Sequence, residues 1–301
     1  MGDWGVAARF YSAILRTIVI GWIAPAPFFP LRATAGAEKP QSPPSCEEPY
    51  SHGAARFHAG DYPGAVRLLE PLRNDASCAE GVLYMLEESY RRMRNAVEAQ
   101  KAFTELTSRF PDSALVHKLM GMAYDQQDNL PSAIREFEAA LKSDPKLTEV
   151  RFGIGLAYLK LHEQDNAARW LSAEIEMDPC HSMALYYLGN LARTSGKLDE
   201  ARERYAKAVA CSPAYADAHL GLGGVFEAQG RNREALNEFQ HAVRADPRSS
   251  AARYRLARAL SKAGQESAAR AEFAKARELK ESADASDAAE LRNTPAHDLP
   301  E

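Results

Sequence analysis

The sequence of 301 residues lacks the short motifs that mark many catalytic and metal-binding sites. It contains no H-E-x-x-H, G-x-S-x-G, C-x-x-C or C-x-x-C-H segment, and no strand-like segment that a glycine-rich phosphate loop could follow. Its eight histidines are interpreted as falling at unrelated positions of the repeat described below. Met177, Cys180 and His181 lie close together but offer too few ligands for a zinc or copper site. We therefore predict a protein that is not an enzyme and that binds neither a cofactor nor a metal.

The sequence also lacks a cluster of basic residues. Its 37 Lys and Arg residues are outnumbered by 41 Asp and Glu residues, which gives a formal net charge of −4. A protein that neutralises nucleic-acid phosphates needs a basic stripe. We therefore do not expect the protein to bind nucleic acid.

The first 35 residues have the parts of a secretory signal peptide. Arg9 and Arg16 make the start basic, an apolar run follows, and residues 33–37 are small. We therefore predict that residues 1–35 direct export and that the protein is periplasmic or secreted. The alternative is an uncleaved anchor formed by residues 10–31, which is disfavoured because three prolines would interrupt a membrane-spanning helix.

A segment of 34 residues recurs along the chain, as shown by GKLDEARERYAKAVACSP (196–213) and GRNREALNEFQHAVRADP (230–247). The same period extends in both directions without insertion or deletion, which is typical of a repeat architecture. It gives seven repeats, with the bounds 46–79, 80–113, 114–147, 148–181, 182–215, 216–249 and 250–283.

Each repeat has the pattern of two helices joined by a tight turn. Alanine occupies the twentieth position of all seven repeats, and a large apolar or aromatic residue follows four positions later, which is the spacing of one helix face. Glycine at the eighth position of five repeats predicts the close approach of a neighbouring helix. Glycine at the fifteenth position of four repeats and proline at the thirty-second position of five predict the ends of the two helices. We therefore predict an all-α protein.

This order of Leu-Gly, Tyr, Ala, Phe and Pro resembles the tetratricopeptide repeat over residues 46 to about 283. The resemblance implies a right-handed α-solenoid whose first helices line a concave groove. The terminal repeats depart from the pattern, at His52 and Arg56 in the first and at Ala257 and Glu281 in the seventh, as expected where one side faces water. Glu174, in the fourth repeat, has no explanation from the sequence.

The resemblance implies that the second, fifth, ninth, twelfth and thirteenth positions of each repeat face the groove. The fifth position is aromatic in five of the seven repeats, and cationic or amide side chains occupy several of the others. The rings are interpreted either as packing between repeats or as anchors for an extended or helical peptide. The predicted partner-binding residues are Tyr50, Tyr84, Arg91, Arg92, Lys118, Phe152, Tyr186, Asn190, Arg193, Tyr254 and Arg258.

One family variant clamps a terminal carboxylate with a Lys at the fifth position and an Asn at the ninth, and this chain does not reproduce it. In the third repeat Lys118 holds the fifth position but Met122 holds the ninth, and in the fifth repeat Asn190 holds the ninth position but Tyr186 holds the fifth.

We predict a non-enzymatic adaptor that binds a protein or peptide in a cell-envelope assembly. The alternative is an enzyme-associated module that presents a glycan or peptidoglycan substrate, in which the groove aromatics would stack on sugar rings.

The chain contains four cysteines, which allow three pairings. The repeat pattern places Cys46 and Cys78 at the open end of the first helical hairpin, and Cys180 and Cys211 at the open end of the fifth. We therefore predict the disulfides Cys46–Cys78 and Cys180–Cys211 in an oxidising compartment. The alternative is four reduced thiols in an intracellular protein.

The segments on either side of the repeats have a different composition. Residues 36–45 are rich in proline and serine and are predicted to form a linker. Residues 284–301 are polar and are predicted to be disordered, apart from a possible turn of helix around residues 288–291.

Overall fold

A computed structural model describes residues 46–293, with side chains as far as Asp284. The predicted signal peptide and linker lie outside the described residues. Between residues 46 and 293 the structure contains fourteen α-helices, one short 3₁₀ turn at Glu70–Leu72 and no strand, which confirms the predicted fold of helix-turn-helix repeats. The helices are α1 (Glu47–His58), α2 (Tyr62–Leu69), α3 (Ala79–Arg92), α4 (Ala96–Arg109), α5 (Ala114–Gln126), α6 (Leu130–Ser143), α7 (Val150–Lys160), α8 (Gln164–Met177), α9 (Ser182–Thr194), α10 (Leu198–Cys211), α11 (Ala216–Ala228), α12 (Asn232–Ala245), α13 (Ser250–Lys262) and α14 (Glu266–Asn293).

The chain divides between Leu161 and His162 into two compact units. Within each unit a second helix packs between the first helix of its own repeat and that of the next. Successive first helices of a unit also contact each other, and they do so more closely than the successive second helices in the described part. The first helices are therefore on the inner side of each unit. We call them the inner layer: α1, α3, α5 and α7 in the first unit, and α9, α11 and α13 in the second.

The aromatic residue at the twenty-fourth repeat position fills the space between successive inner helices. The fully buried Tyr205 ring lies between Gly189 of its own repeat and Gly221 of the next. A Cβ atom at Gly189 would lie 2.7 Å from Tyr205 Cε1, and a Cβ atom at Gly221 would lie 2.5 Å from the same atom. Only glycine fits at these two positions without displacing the ring. The close approach that the recurrent glycine predicts is therefore present.

The turn inside each repeat uses the left-handed backbone conformation at the fifteenth position. Four repeats place glycine there, as the sequence predicted, with φ between 73° and 76°. The other three place a larger residue in the same conformation, with φ between 58° and 61°, and so accept backbone strain. The glycines are Gly60, Gly196, Gly230 and Gly264, and the larger residues are Arg94, Asp128 and His162.

The last helix, α14, extends to Asn293, beyond the predicted end of the seventh repeat. The prediction of disorder from residue 284 is therefore wrong for residues 284–293. Alanine, the strongest helix former, occupies three of these ten positions, three further residues (Glu290, Leu291 and Arg292) also favour helix, and the next proline is Pro295. Residues 294–301 lie outside the described residues.

Glu174 has a partner that the repeat pattern did not indicate. Its carboxylate is buried, and one oxygen lies 3.7 Å from Nε2 of His181. The other ring nitrogen of His181, Nδ1, accepts a hydrogen bond from the Ala184 amide at the start of α9. This hydrogen bond leaves the ring proton on Nε2, facing Glu174.

A histidine or arginine at the fourth repeat position contacts a carboxylate on the second helix in three repeats. His219 Nδ1 lies 2.7 Å from Glu238 Oε2 on α12, and Nε2 lies 3.0 Å from the Pro213 carbonyl oxygen. Arg253 makes the same two contacts one repeat later, with Glu272 and the Pro247 carbonyl. His117 repeats the carboxylate contact, 2.8 Å from Glu136. The interpretation that the histidines share no repeat position is therefore wrong for His117 and His219.

The two polar neighbours of His219 are both oxygens, an arrangement that favours the doubly protonated, positively charged ring. The hydrogen bond to Glu238 raises the pKa of His219, burial opposes the shift, and the Pro213 carbonyl supports it. Arg244 also lowers this pKa, and the His241 ring stacks on His219 with centroids 5.2 Å apart. The His219 contribution to stability is thus complete below the unfolded pKa of about 6.5 and is lost as the pH rises through the raised folded pKa.

We expect His219→Arg to remove this pH dependence, because arginine stays charged and holds the equivalent place at Arg253. The measurement is urea unfolding of wild type and variant from about pH 6 to about pH 9. Wild type should lose stability relative to His219→Arg as the pH rises. A difference that does not change with pH would show that His219 is not charged in the folded protein.

Candidate partner-binding surface

In the first unit, three of the predicted groove residues are used in contacts between repeats. The Tyr50 hydroxyl lies against Gly81, where a Cβ atom would be 2.5 Å away. The Lys118 ammonium lies 5.6 Å from the centroid of the Tyr84 ring and 3.0 Å from the Glu149 carboxylate, and the Lys118 side chain is buried. Burial lowers the pKa of Lys118, but Tyr84 and Glu149 outweigh it and raise the pKa above its ordinary value. Lys118 is therefore a structural cation.

Arg91 and Arg92 face carboxylates on their own helix. Arg92 Nε lies 2.7 Å from Glu88 Oε1, and Arg91 pairs with Glu88 and lies 3.8 Å from Glu87. Glu87 is fully buried and occupies the eighth repeat position, where five other repeats carry glycine. The two arginines thus neutralise the adjacent glutamates. Phe152, on α7, is half-buried.

In the second unit, Tyr186 is the centre of an aromatic cluster. Its ring centroid lies 5.3 Å from those of Tyr187 and Tyr215 and 5.9 Å from that of Tyr205. Burial raises the pKa of the Tyr215 hydroxyl, and Tyr186, Asp217 and Tyr187 raise it further. At Tyr186 the structure therefore favours the interpretation of packing between repeats.

Asn190 and Arg193 are oriented by the same cluster. The Tyr205 hydroxyl donates a hydrogen bond of 2.6 Å to Asn190 Oδ1. Burial raises the pKa of this hydroxyl, and the nearby Arg193 guanidinium opposes the shift. Arg193 is otherwise exposed.

The inner surface of α13 is more open. Tyr254 is 51% exposed, and one edge of its ring meets Phe273 with centroids 5.6 Å apart. Arg258 lies 3.6 Å from Glu227 on α11, and Lys262 pairs with the same carboxylate oxygen. Of the residues predicted in this unit, Tyr254, Arg258 and Arg193 present surface to solvent, whereas Tyr186 and Asn190 mainly support the packing.

Both predicted cysteine pairs lie at disulfide distance. The Cα atoms of Cys46 and Cys78 are 6.2 Å apart, and those of Cys180 and Cys211 are 5.3 Å apart. Disulfides span roughly 4.4–6.8 Å between Cα atoms. Asp75 lies next to the first pair, so that three potential metal ligands come within 4.8 Å of one another. The Asp75 carboxylate already accepts hydrogen bonds from Ser77, and a sulfur in a disulfide supplies no thiolate.

Sequence comparisons support the repeat architecture over most of the helical region. Family profiles described as "Tetratricopeptide repeat" match residues 84–147, 118–181 and 226–292, and one described as "TPR repeat" matches residues 189–230. The chain belongs to the tetratricopeptide repeat family. No curated protein sequence matches this tetratricopeptide repeat protein.

Several solved structures share the fold of this tetratricopeptide repeat protein. Cut9, in the crystal structure of the APC/C hetero-tetramer Cut9–Hcn1, is 12% identical with a TM-score of 0.62, over 76% of this chain and 45% of that chain. PilF from Pseudomonas aeruginosa is 15% identical with a TM-score of 0.60, over 66% and 91% of the two chains. A double mutant of MamA RS-1 is 21% identical with a TM-score of 0.51, over 57% and 97%. At these identities the similarity concerns the fold alone.

The structure adds three inner-layer residues that the sequence analysis missed. Met183, at a predicted groove position of α9, is 47% exposed. Arg255 and Glu227 belong to the charged cluster between α11 and α13. Glu227 occupies the twelfth position, a predicted groove position, and could have been found from the sequence. Arg255 lies outside the groove positions that the tetratricopeptide repeat pattern implies.

None of the helices in residues 46–293 combines the length and apolar character needed to span a bilayer.

Proposed function

We propose that this tetratricopeptide repeat protein is a non-enzymatic interaction scaffold whose inner layer binds a protein or peptide partner. The observation that carries the proposal is the exposure of two large side chains on the inner layer of the second unit. Met183 is 47% exposed and Tyr254 is 51% exposed. Large apolar and aromatic residues left at the surface are typical anchors of protein interfaces.

The architecture supports this function. Stacked helical repeats form extended surfaces, because each repeat contacts only its neighbours. Among proteins with this fold, Cut9 was crystallised in a hetero-tetramer with Hcn1. A partner of this chain would contact several successive first helices, so that many small contacts add up along the inner layer.

We further propose that the scaffold acts outside the cytoplasm, in a cell-envelope assembly. Two cysteine pairs at disulfide distance favour an oxidising compartment, where such bonds form and persist. The signal-like composition of the first 35 residues favours the same location.

The test is capture of partners from an envelope extract with two variants of the purified protein. We expect Met183→Asp combined with Tyr254→Asp to abolish capture, because a carboxylate cannot replace an apolar anchor. Lys207→Asp, at an exposed position on the outer helix α10, is the control and should capture normally. Equal capture by both variants, with helicity unchanged, would show that the inner layer of the second unit is not the binding surface.

A further inference from the structure

Between α11 and α13, one carboxylate is shared by three cations. Glu227 Oε2 lies 3.5 Å from Arg255 Nη1, and Glu227 Oε1 contacts both Arg258 and Lys262. The hydrogen bond from Lys262 lowers the pKa of the Glu227 carboxyl, and burial opposes this shift. The charges of Lys262, Arg258 and Arg255 lower the pKa further. Glu227 is therefore ionised, and the cluster keeps an excess of two positive charges.

The inner layer of the first unit is different. Lys160 pairs with Asp125 at 2.6 Å, and Lys118 pairs with Glu149 at 3.0 Å. Arg91 and Arg92 face the two adjacent glutamates. Each of these four cations has a carboxylate partner, whereas three cations share the single carboxylate of Glu227.

The three cations remain accessible to a ligand. Their side chains are 42% to 48% exposed, whereas the Glu227 side chain is 17% exposed. Beside them, a Cβ atom at Gly224 of α11 would meet no atom within 4 Å, so the surface there is open. The exposed Tyr254 ring lies one helical turn before Arg258 on α13.

We propose that this part of the inner layer binds an acidic peptide segment. Carboxylates of the peptide would pair with Arg255, Arg258 and Lys262, and an apolar side chain of the peptide would pack on Tyr254. The open surface at Gly224 lets a peptide backbone approach α11 closely. This inference rests on the proposed scaffold function and adds the chemistry of the partner.

The internal carboxylate supplies a test that a merely structural cluster would fail. Glu227 competes with the ligand for the same three cations. We therefore expect Glu227→Gln to bind an acidic peptide about threefold or more tightly, because it frees the cations and raises the local charge. If the cluster only joined α11 to α13, this substitution would leave binding unchanged or weaken it.

The probe is a short fluorescein-labelled peptide of alternating glutamate and serine around a central phenylalanine, with binding followed by fluorescence anisotropy. Its control is the same peptide with glutamine in place of glutamate. We expect the glutamate peptide alone to bind, with an affinity that falls as salt is added. Arg258→Glu combined with Lys262→Glu should weaken binding about tenfold or more. Arg270→Glu combined with Lys280→Glu makes the same charge change on exposed positions of α14 and should have little effect.

The inference would be overturned by no binding of the glutamate peptide, equal binding of the glutamine peptide, equal weakening by the two double reversals, or no tighter binding to Glu227→Gln. Binding of a soluble polygalacturonate with no binding of the peptide would assign the cluster to an acidic glycan and would also overturn it. These outcomes are distinguishable from failure of the scaffold function, since capture through Met183 and Tyr254 is measured separately. Circular dichroism of every variant confirms that the helices are intact.

Discussion

Replacing Phe239 by alanine should lower the free energy of unfolding of the second unit by about 3–5 kcal/mol. The Phe239 ring is 1% exposed and packs with Leu256, Leu260 and Ala269. It also lies against Gly223, where a Cβ atom would be 2.6 Å from Phe239 Cε1. The loss is large because the ring is buried and the helix backbone at Gly223 cannot collapse into the cavity.

Phe273 provides a matched control, because it has the same side chain at the same repeat position in the last repeat. It is 36% exposed, and its ring contact with Tyr254 is at the surface. Phe273→Ala should therefore cost about 1–2 kcal/mol. Chemical denaturation of the two variants measures the difference. Equal losses would contradict the view that the twenty-fourth position stabilises the protein by filling the gap between successive inner helices.

Breaking the two cysteine pairs should have an effect of similar size. Each bond would close a loop of about 30 residues and stabilise its unit by roughly 2–4 kcal/mol, mainly by restricting the unfolded chain. We expect reduction to lower the unfolding midpoint of the wild-type protein. A variant in which alanine replaces all four cysteines should already have the lower midpoint and should not respond to the reductant.

Peptide mapping without reduction identifies the bonds. The expected cross-linked peptides join Cys46 to Cys78 and Cys180 to Cys211, whose Cα atoms are 6.2 Å and 5.3 Å apart. Free thiols at all four positions in protein isolated from the cell, or a cross-link between the two pairs, would rule out the pairing. Either result would also weaken the proposal of an oxidising compartment.

Much of the fold could be predicted because the same local sequence pattern occurs in all seven repeats. Alanine and a large residue four positions apart define one helix face, and glycine at the eighth position indicates that a ring such as Tyr205 lies against it. Three turns could not be found from glycine, since Arg94, Asp128 and His162 adopt the left-handed conformation without it. The extension of α14 was missed because a polar composition was given more weight than helix propensity.

The site was harder to predict, because a repeat position tells where a side chain points and not what it meets. Lys118 shares a position with exposed Tyr254, but Glu149 of the following repeat reaches it and the side chain is buried. Glu174 could not be interpreted because His181, its partner, lies in the loop before the next repeat. Charge pairing between repeats depends on particular neighbours, which a regular pattern does not contain.

The most direct test of the scaffold function is photo-cross-linking at single positions of the second unit. A photoreactive phenylalanine analogue would replace Met183 or Tyr254 on the inner layer, and Lys207 or Gln240 on outer helices, all of which are exposed. In an envelope extract, the two inner positions should form a cross-link to the same partner, and the two outer positions should form none to it. Cross-linking of that partner from Lys207 and Gln240, with none from Met183 and Tyr254, would contradict the account.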